Sequence, residues 1–132
     1  ALDRRQRQMC IRDRTFSLFE ATENVDEGFI YDKISIPLNG TELNDELRNI
    51  QSEVTFSMIV NYIKNFPNNS SSPQQGKSTW NRKRTTKDSE LDINKSISDQ
   101  INLLRIVDNK LYPAHFYYKG EKFILKINKE NN

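Results

Sequence analysis

The sequence predicts a small unit that mixes helices and strands, and three observations predict it. Two stretches near the start alternate apolar and polar residues, two later stretches repeat apolar residues at helical spacing, and a two-residue turn near the end joins a last pair of strands. A chain of 132 residues has room for one hydrophobic core and contains no internal repeat of the solenoid kind.

Thr15–Phe19 and Phe29–Ile36 read as strands, the second ending at Pro37. Between them Glu20–Gly28 forms an acidic loop of nine residues. Hairpin loops usually take about two to five residues, and longer loops carried on rigid strands are where binding and catalytic groups collect. Asn39 and Gly40 then break the chain, and Thr41 is placed to cap a helix running to about Lys64. Leu43, Leu47, Ile50, Val54 and Met58 form one apolar stripe along it, so this helix should lie on a sheet. Pro67 ends it, and Asn68–Gly76 reads as a polar linker with nothing to pack. Beyond lie Thr79–Arg84, an acidic turn around Asp88–Asp92, and a second helix over about Ser98–Asp108. Ser96 or Ser98 caps it, and Ile97, Ile101, Leu104 and Val107 should be its buried stripe. The last element is a hairpin of Phe116–Tyr118 and Phe123–Ile127 across Lys119-Gly120, in which the glycine takes a positive φ. The expected divisions are 1–14, 15–66, the linker 67–78, and 79–132.

The net charge of +2 is unevenly spread. Residues 1–14 hold five arginines and two aspartates, whereas residues 15–132 hold fifteen Lys or Arg against sixteen Asp or Glu. An Arg-rich head reads as an arm for phosphates, but it has no aromatic side chain for stacking. Its Met9–Arg14 string resembles a translated sequencing adapter joined to a truncated gene, so the head is set aside from the fold as an artefact without order.

Composition excludes several function classes. One cysteine, Cys10, and one histidine, His115, leave no Cys- or His-based metal cluster, and no metal is expected. No run of about 18 apolar residues spans a membrane, and no secretory leader opens the chain, so a cytoplasmic protein is expected. Gly-rich phosphate loops, zinc-protease and serine-hydrolase motifs are lacking. The patch Arg82-Lys83-Arg84, with Trp80 and Lys87, either grips a phosphate or is a solvated strand end facing Asp88 and Glu90.

Asp26 stands out by its company. Asn24-Val25-Asp26-Glu27-Gly28-Phe29-Ile30 is followed by Ile34-Ser35-Ile36-Pro37 and a long helix from Thr41-Glu42-Leu43. This order resembles the second half of the catalytic domain of the 10-formyltetrahydrofolate-dependent formyltransferases, in which a "VDxGxI" loop precedes a strand, "IPI" and a helix. The resemblance continues through Lys83-Arg84-Thr85, Asp88–Asp92, Asn94-Lys95-Ser96, Asn102–Arg105 and Tyr112-Pro113-Ala114, and it covers residues 15–128. Thr86, Ile93 and His115 depart from it, standing where Pro, Trp and an aromatic are usual.

The resemblance implies the C-terminal half of a Rossmann-like α/β formyltransferase domain, followed by a helix and a β-hairpin. It also implies a catalytic trio of Asn, His and Asp. An amine attacks the formyl carbon, Asn and a protonated His stabilise the oxyanion, and the aspartate raises the imidazole pKa and orders the water that shuttles the proton. Asp26 matches the aspartate, and Asn24 and Val25 fall where the loop meets the folate pterin. No Asn-x-His pair precedes Asp26, and His115 lies in another element, where it reads as a surface or strand-edge residue. The chain therefore reads as the C-terminal part of an enzyme, inactive by itself, with 10-formyltetrahydrofolate as co-substrate.

Family acceptors include initiator methionyl-tRNA, glycinamide ribonucleotide and nucleotide-linked amino sugars. The body carries no excess of positive charge to meet tRNA phosphates, which disfavours nucleic acid. Leu104–Asn109 through Tyr112-Pro113 resembles the sugar N-formyltransferase version, so a nucleotide-linked amino sugar is the expected acceptor, with methionyl-tRNA the alternative. Arg105, Asn109 and Tyr112, with Trp80 and Arg84 nearby, either line its pocket or serve packing and helix-end polarity. The apolar C-terminal hairpin suggests a two-fold homodimer contact. A reading from another class is a non-catalytic module whose edge strands bind a protein partner.

Overall fold

The computed structural model describes residues 13–24, 27–76 and 82–130. Strands β1 (Asp13–Phe19) and β2 (Ile30–Pro37) pair antiparallel, with Phe16 opposite Ile34 and Leu18 opposite Asp32. The register shifts between Leu18 and Phe19, so Phe19 meets Ile30 and the ladder twists as it enters the loop. β1 begins two residues before the expected boundary. Asp13 and Arg14 pair with Pro37 and Ile36, and the Arg14 guanidinium lies 5.7 Å above the Phe16 ring.

Helix α1 (Asn44–Asn65) lies on this hairpin, as its apolar stripe requires. Leu47, Val54 and Met58 are buried, and Leu43 and Ile50 are partly so. The start differs from expectation. Thr41 does not cap the helix; Leu43 holds the cap position, and its amide donates to Glu46 Oε2 at 2.7 Å. An acidic residue in the first turn also complements the positive end of the helix dipole.

The polar segment after Pro67 packs after all. Ser72 exchanges both backbone hydrogen bonds with Ile30, at 2.8 and 2.9 Å. Asn69 Nδ2 donates to the Tyr62 carbonyl at 3.0 Å, and Gln74 Nε2 to the Gly28 carbonyl at 2.8 Å. A polar sequence lacks an apolar pattern to reveal such docking, because the bonds are made by main chain and carboxamides.

A short 3-10 turn (Thr86–Ser89) leads to helix α2 (Ile97–Ile106), which Ser96 caps by accepting from the Asp99 amide. Leu104, Val107 and Ala114 form a second core with Leu91, Ile101, Leu103 and Ile127 against it. Ile97 is 69% exposed rather than buried, because it sits a turn beyond the reach of that core. β3 (Ala114–Tyr118) and β4 (Glu121–Leu125) pair antiparallel across Lys119-Gly120. Both turn residues have positive φ, 49° and 82°, as a two-residue turn that follows the strand twist demands.

Charge ties the two halves together at the N-terminal end of α1. Arg48 Nη2 donates to Asp108 Oδ2 at 2.7 Å, Lys129 Nζ to Glu46 Oε2 at 2.8 Å, and Arg105 Nη2 to Glu42 Oε2 at 3.3 Å. Among the described residues no helix is long and apolar enough to cross a membrane.

Candidate functional site

The loop between β1 and β2, ten residues long because β2 starts at Ile30 and not at Phe29, is pinched at its base. The Glu20 amide donates to the Phe29 carbonyl at 2.9 Å, and Gly28 is buried against Glu20. A Cβ at Gly28 would stand 1.9 Å from the Glu20 carbonyl oxygen, so only glycine lets the two strands come this close. Within the loop Thr22 Oγ1 donates to the Asn24 carbonyl at 2.9 Å, and Asn24 Nδ2 to Glu27 Oε2 at 2.8 Å. The Asn24 side chain is thus engaged inside the loop. Val25, Asp26 and Trp80 lie outside the described residues.

The other expected site residues fall into three places. Arg84 and Tyr112 come together through Ser89, which is fully buried: Arg84 Nη2 donates to Ser89 Oγ at 3.2 Å, and Ser89 Oγ donates to the Tyr112 carbonyl at 2.9 Å. Asn109 is held elsewhere, with Nδ2 donating to the Ile127 carbonyl at 3.1 Å. Arg105 is only 2% exposed. Its Nε donates to the Glu42 carbonyl at 3.0 Å and its Nη1 to Asn102 Oδ1 at 2.8 Å, in addition to the Glu42 ion pair, so its guanidinium is turned inward.

Glu42 is the centre of this knot. Its carboxylate also accepts from the Asn39 and Gly40 amides at 2.5 and 3.0 Å. Burial pushes the carboxyl pKa up, but the amides of Asn39, Glu42 and Gly40, together with Arg105, outweigh it and hold the group below its ordinary value. The turn that follows β2 is therefore fixed to α2. Glu42, Ser89 and Gln74 carry these contacts and were not singled out by the sequence. Each acts across a separation that local pattern cannot report, although the acidic residue just ahead of a helix was a visible cue for Glu42.

The basic patch resolves in favour of internal pairing for two of its members. Arg82 makes a two-pronged ion pair with Asp88, and Arg84 is on Ser89. The Asp88 carboxyl is held far below the usual range by Arg82 first and then by the Thr85 amide. His115 does lie on the strand edge, where its carbonyl accepts from the Leu91 amide at 2.7 Å, but it is buried, not on the surface. Tyr117 covers its ring edge-on at 5.9 Å. A polar cavity of about 210 Å³ opens between β1, β2, the end of α1 and Asn68–Ser70, with Tyr31, Asp32, Asn61 and Tyr62 in its wall; Asn24, Arg84, Arg105, Asn109 and Tyr112 do not line it. Among the described residues no group of three or more His, Cys, Asp or Glu could hold a metal ion.

Neither a protein-family model nor a curated protein sequence matches the chain. Solved structures do. A methionyl-tRNA formyltransferase from Clostridium thermocellum superposes with a TM-score of 0.73 at 15% identity, over 95% of this chain and 56% of that one. A protein from Mycobacterium tuberculosis thought to be a sugar N-formyltransferase gives 0.72 at 13% identity, over 96% and 59%. A 4-N formyltransferase from Francisella tularensis gives 0.66 at 18% identity, over 88% and 51%. The chain spans about half the length of these proteins, and what it shares with them is the fold: the C-terminal part of a formyltransferase-family domain.

Proposed function

We propose that this chain is part of an N-formyltransferase that moves a formyl group from 10-formyltetrahydrofolate to the amine of a nucleotide-linked amino sugar. The observation that carries the reading is the loop Glu20–Gly28, pinched by a glycine no other residue can replace, on a fold shared with a 4-N formyltransferase and with a protein thought to be a sugar N-formyltransferase. The segment that contains Asp26 resembles in sequence the family's "VDxGxI" loop. In this reading Asp26 raises the pKa of an imidazole supplied from elsewhere in the full-length polypeptide and orders the water that takes the proton from the attacking amine. Asn24, whose side chain is committed to Glu27, meets the pterin through its backbone, beside Val25.

Arg84 and Tyr112, joined through Ser89, form the acceptor side with Trp80. Arg105 and Asn109 position that side: one ties α2 to Glu42, the other ties the end of α2 to the Ile127 carbonyl. The exposed Phe123, Ile124 and Leu125 of β4 suit a two-fold contact between copies. The cytoplasm, where folates and sugar nucleotides are made, is the expected compartment. A second acceptor, initiator methionyl-tRNA, is favoured by the TM-score of 0.73 with the Clostridium enzyme.

The test is formyl transfer by the full-length protein to a thymidine-diphosphate amino sugar, set against charged initiator tRNA. Asp26→Asn should lower turnover on the order of 10²-fold or more while the melting temperature holds. Normal turnover in that variant would remove the role given to Asp26, and transfer to tRNA alone would select the second acceptor.

A further inference from the structure

The arginines of this chain do not all find an anion. Among the described residues, Arg48, Arg82 and Arg105 pair with Asp108, Asp88 and Glu42, and Arg14 lies over the Phe16 ring. Arg84 rests instead on a neutral group, the hydroxyl of Ser89. The carboxylate nearest to it in the chain, Asp88, is already committed: both of its oxygens accept from Arg82, and Oδ2 accepts from the Thr85 amide as well. Arg84 is half-buried, so its charge has lost part of its hydration with no counter-charge in return, a state that an arriving anion relieves. Lys83 and Lys87 stand on either side of it in the chain, exposed and outside every ion pair of the described residues.

Ser89 fixes the aim. Its side chain is fully buried and its proton goes to the Tyr112 carbonyl at 2.9 Å, so its oxygen meets Arg84 only as an acceptor. That bond, at 3.2 Å, takes one Nη2 hydrogen and leaves the rest of the planar fork for phosphate oxygens. We infer that Arg84, aimed by Ser89, holds the diphosphate of the sugar-nucleotide acceptor, with Lys83 and Lys87 adding positive charge beside it. The identity of that substrate rests on the function proposed above; the anion site rests on the geometry of Arg84 and Ser89.

Calorimetric titration of the full-length protein with inorganic pyrophosphate reads the site without any transfer reaction. The wild type should bind it, Arg84→Gln should bind it about tenfold more weakly, and Arg84→Lys, which keeps the charge but not the fork, should fall between. Lys64→Gln, which removes an exposed positive charge on α1, should bind it as the wild type does. Ser89→Ala should weaken binding less than Arg84→Gln, and adding it to Arg84→Gln should cost nothing further, because Ser89 acts through Arg84. In the transfer assay Arg84→Gln should raise KM for a thymidine-diphosphate amino sugar about tenfold while kcat and the KM for 10-formyltetrahydrofolate stay within about twofold. Pyrophosphate that fails to bind, or that binds Arg84→Gln as tightly as the wild type, would overturn the inference. An unchanged KM for the sugar nucleotide in an active enzyme would overturn it too. A wild type that binds pyrophosphate through Arg84 but transfers no formyl group would uphold the anion site and overturn the function proposed above.

Discussion

The two hairpins of this chain solve one problem differently. β1–β2 is long, carries a ten-residue loop and a register shift, and is held from outside: α1 covers one face, Ser72 pairs with Ile30, and Gln74 clamps Gly28. β3–β4 is short and closes on two left-handed residues, and every residue of β4 is exposed. Its Phe116 and Phe123 stack at 5.4 Å, Ala114 at its base is buried in the second core, and the Leu91 amide bonds to the His115 carbonyl. A tight turn fixes register from within, whereas a long loop needs fixed ends supplied by distant parts of the chain.

The largest expected effect breaks the external support of the first hairpin. Arg105→Met leaves the buried Glu42 carboxylate without its cation, and the full-length protein should lose about 3 kcal/mol in denaturant unfolding. Loss below about 1 kcal/mol would mean that the ion pair is not what joins α2 to the turn after β2. Next comes the pinch itself. Gly28→Ala drives a Cβ into the Glu20 carbonyl, and about 2 kcal/mol of destabilisation should accompany displacement of the loop, seen as lost amide protection at Glu20.

How much of this was legible follows from what each feature rests on. The stripe of Leu47, Val54 and Met58 announced α1 and its sheet, Ser96 announced the start of α2, and Lys119-Gly120 announced the last turn, because all three are local patterns. The pairing of Ser72 with Ile30 and the Glu42–Arg105 pair, 63 residues apart, left no periodic trace. Arg105 illustrates the cost. A positive charge in the last turn of a helix reads as exposed or ligand-binding, and only the tertiary arrangement shows it turned inward on a carboxylate. Asp26 became visible through a resemblance of motif order, not through any pattern of its own.

Acid should separate the two hairpins further. The Glu46 carboxyl is held below its ordinary value by Lys129 first and then by the Leu43 amide, Asp108 by the Leu111 and Lys110 amides and then by Arg48, and Glu42 as described above. Carboxyls lowered in the folded state stabilise it fully above their unfolded values and lose that contribution as pH falls through the folded ones. The melting temperature should therefore hold down to about pH 5 and drop toward pH 3, with amide protection lost around α1 before the β3–β4 turn. A flat melting profile over that range would contradict the role of these pairs. The smallest effect sharpens the second hairpin: Lys119→Asn suits the left-handed turn position better and should add about 0.5 kcal/mol, read from denaturant midpoints.

The central claim is that the pinched loop serves formyl transfer. Incubation of the full-length protein with 10-formyltetrahydrofolate and a thymidine-diphosphate amino sugar, followed by mass spectrometry of the sugar nucleotide, tests it directly. The account predicts a product heavier by one formyl group in place of an amine hydrogen, formed by the wild type and on the order of 10²-fold more slowly by Asp26→Asn. An unchanged sugar nucleotide, with initiator methionyl-tRNA equally untouched, would contradict it.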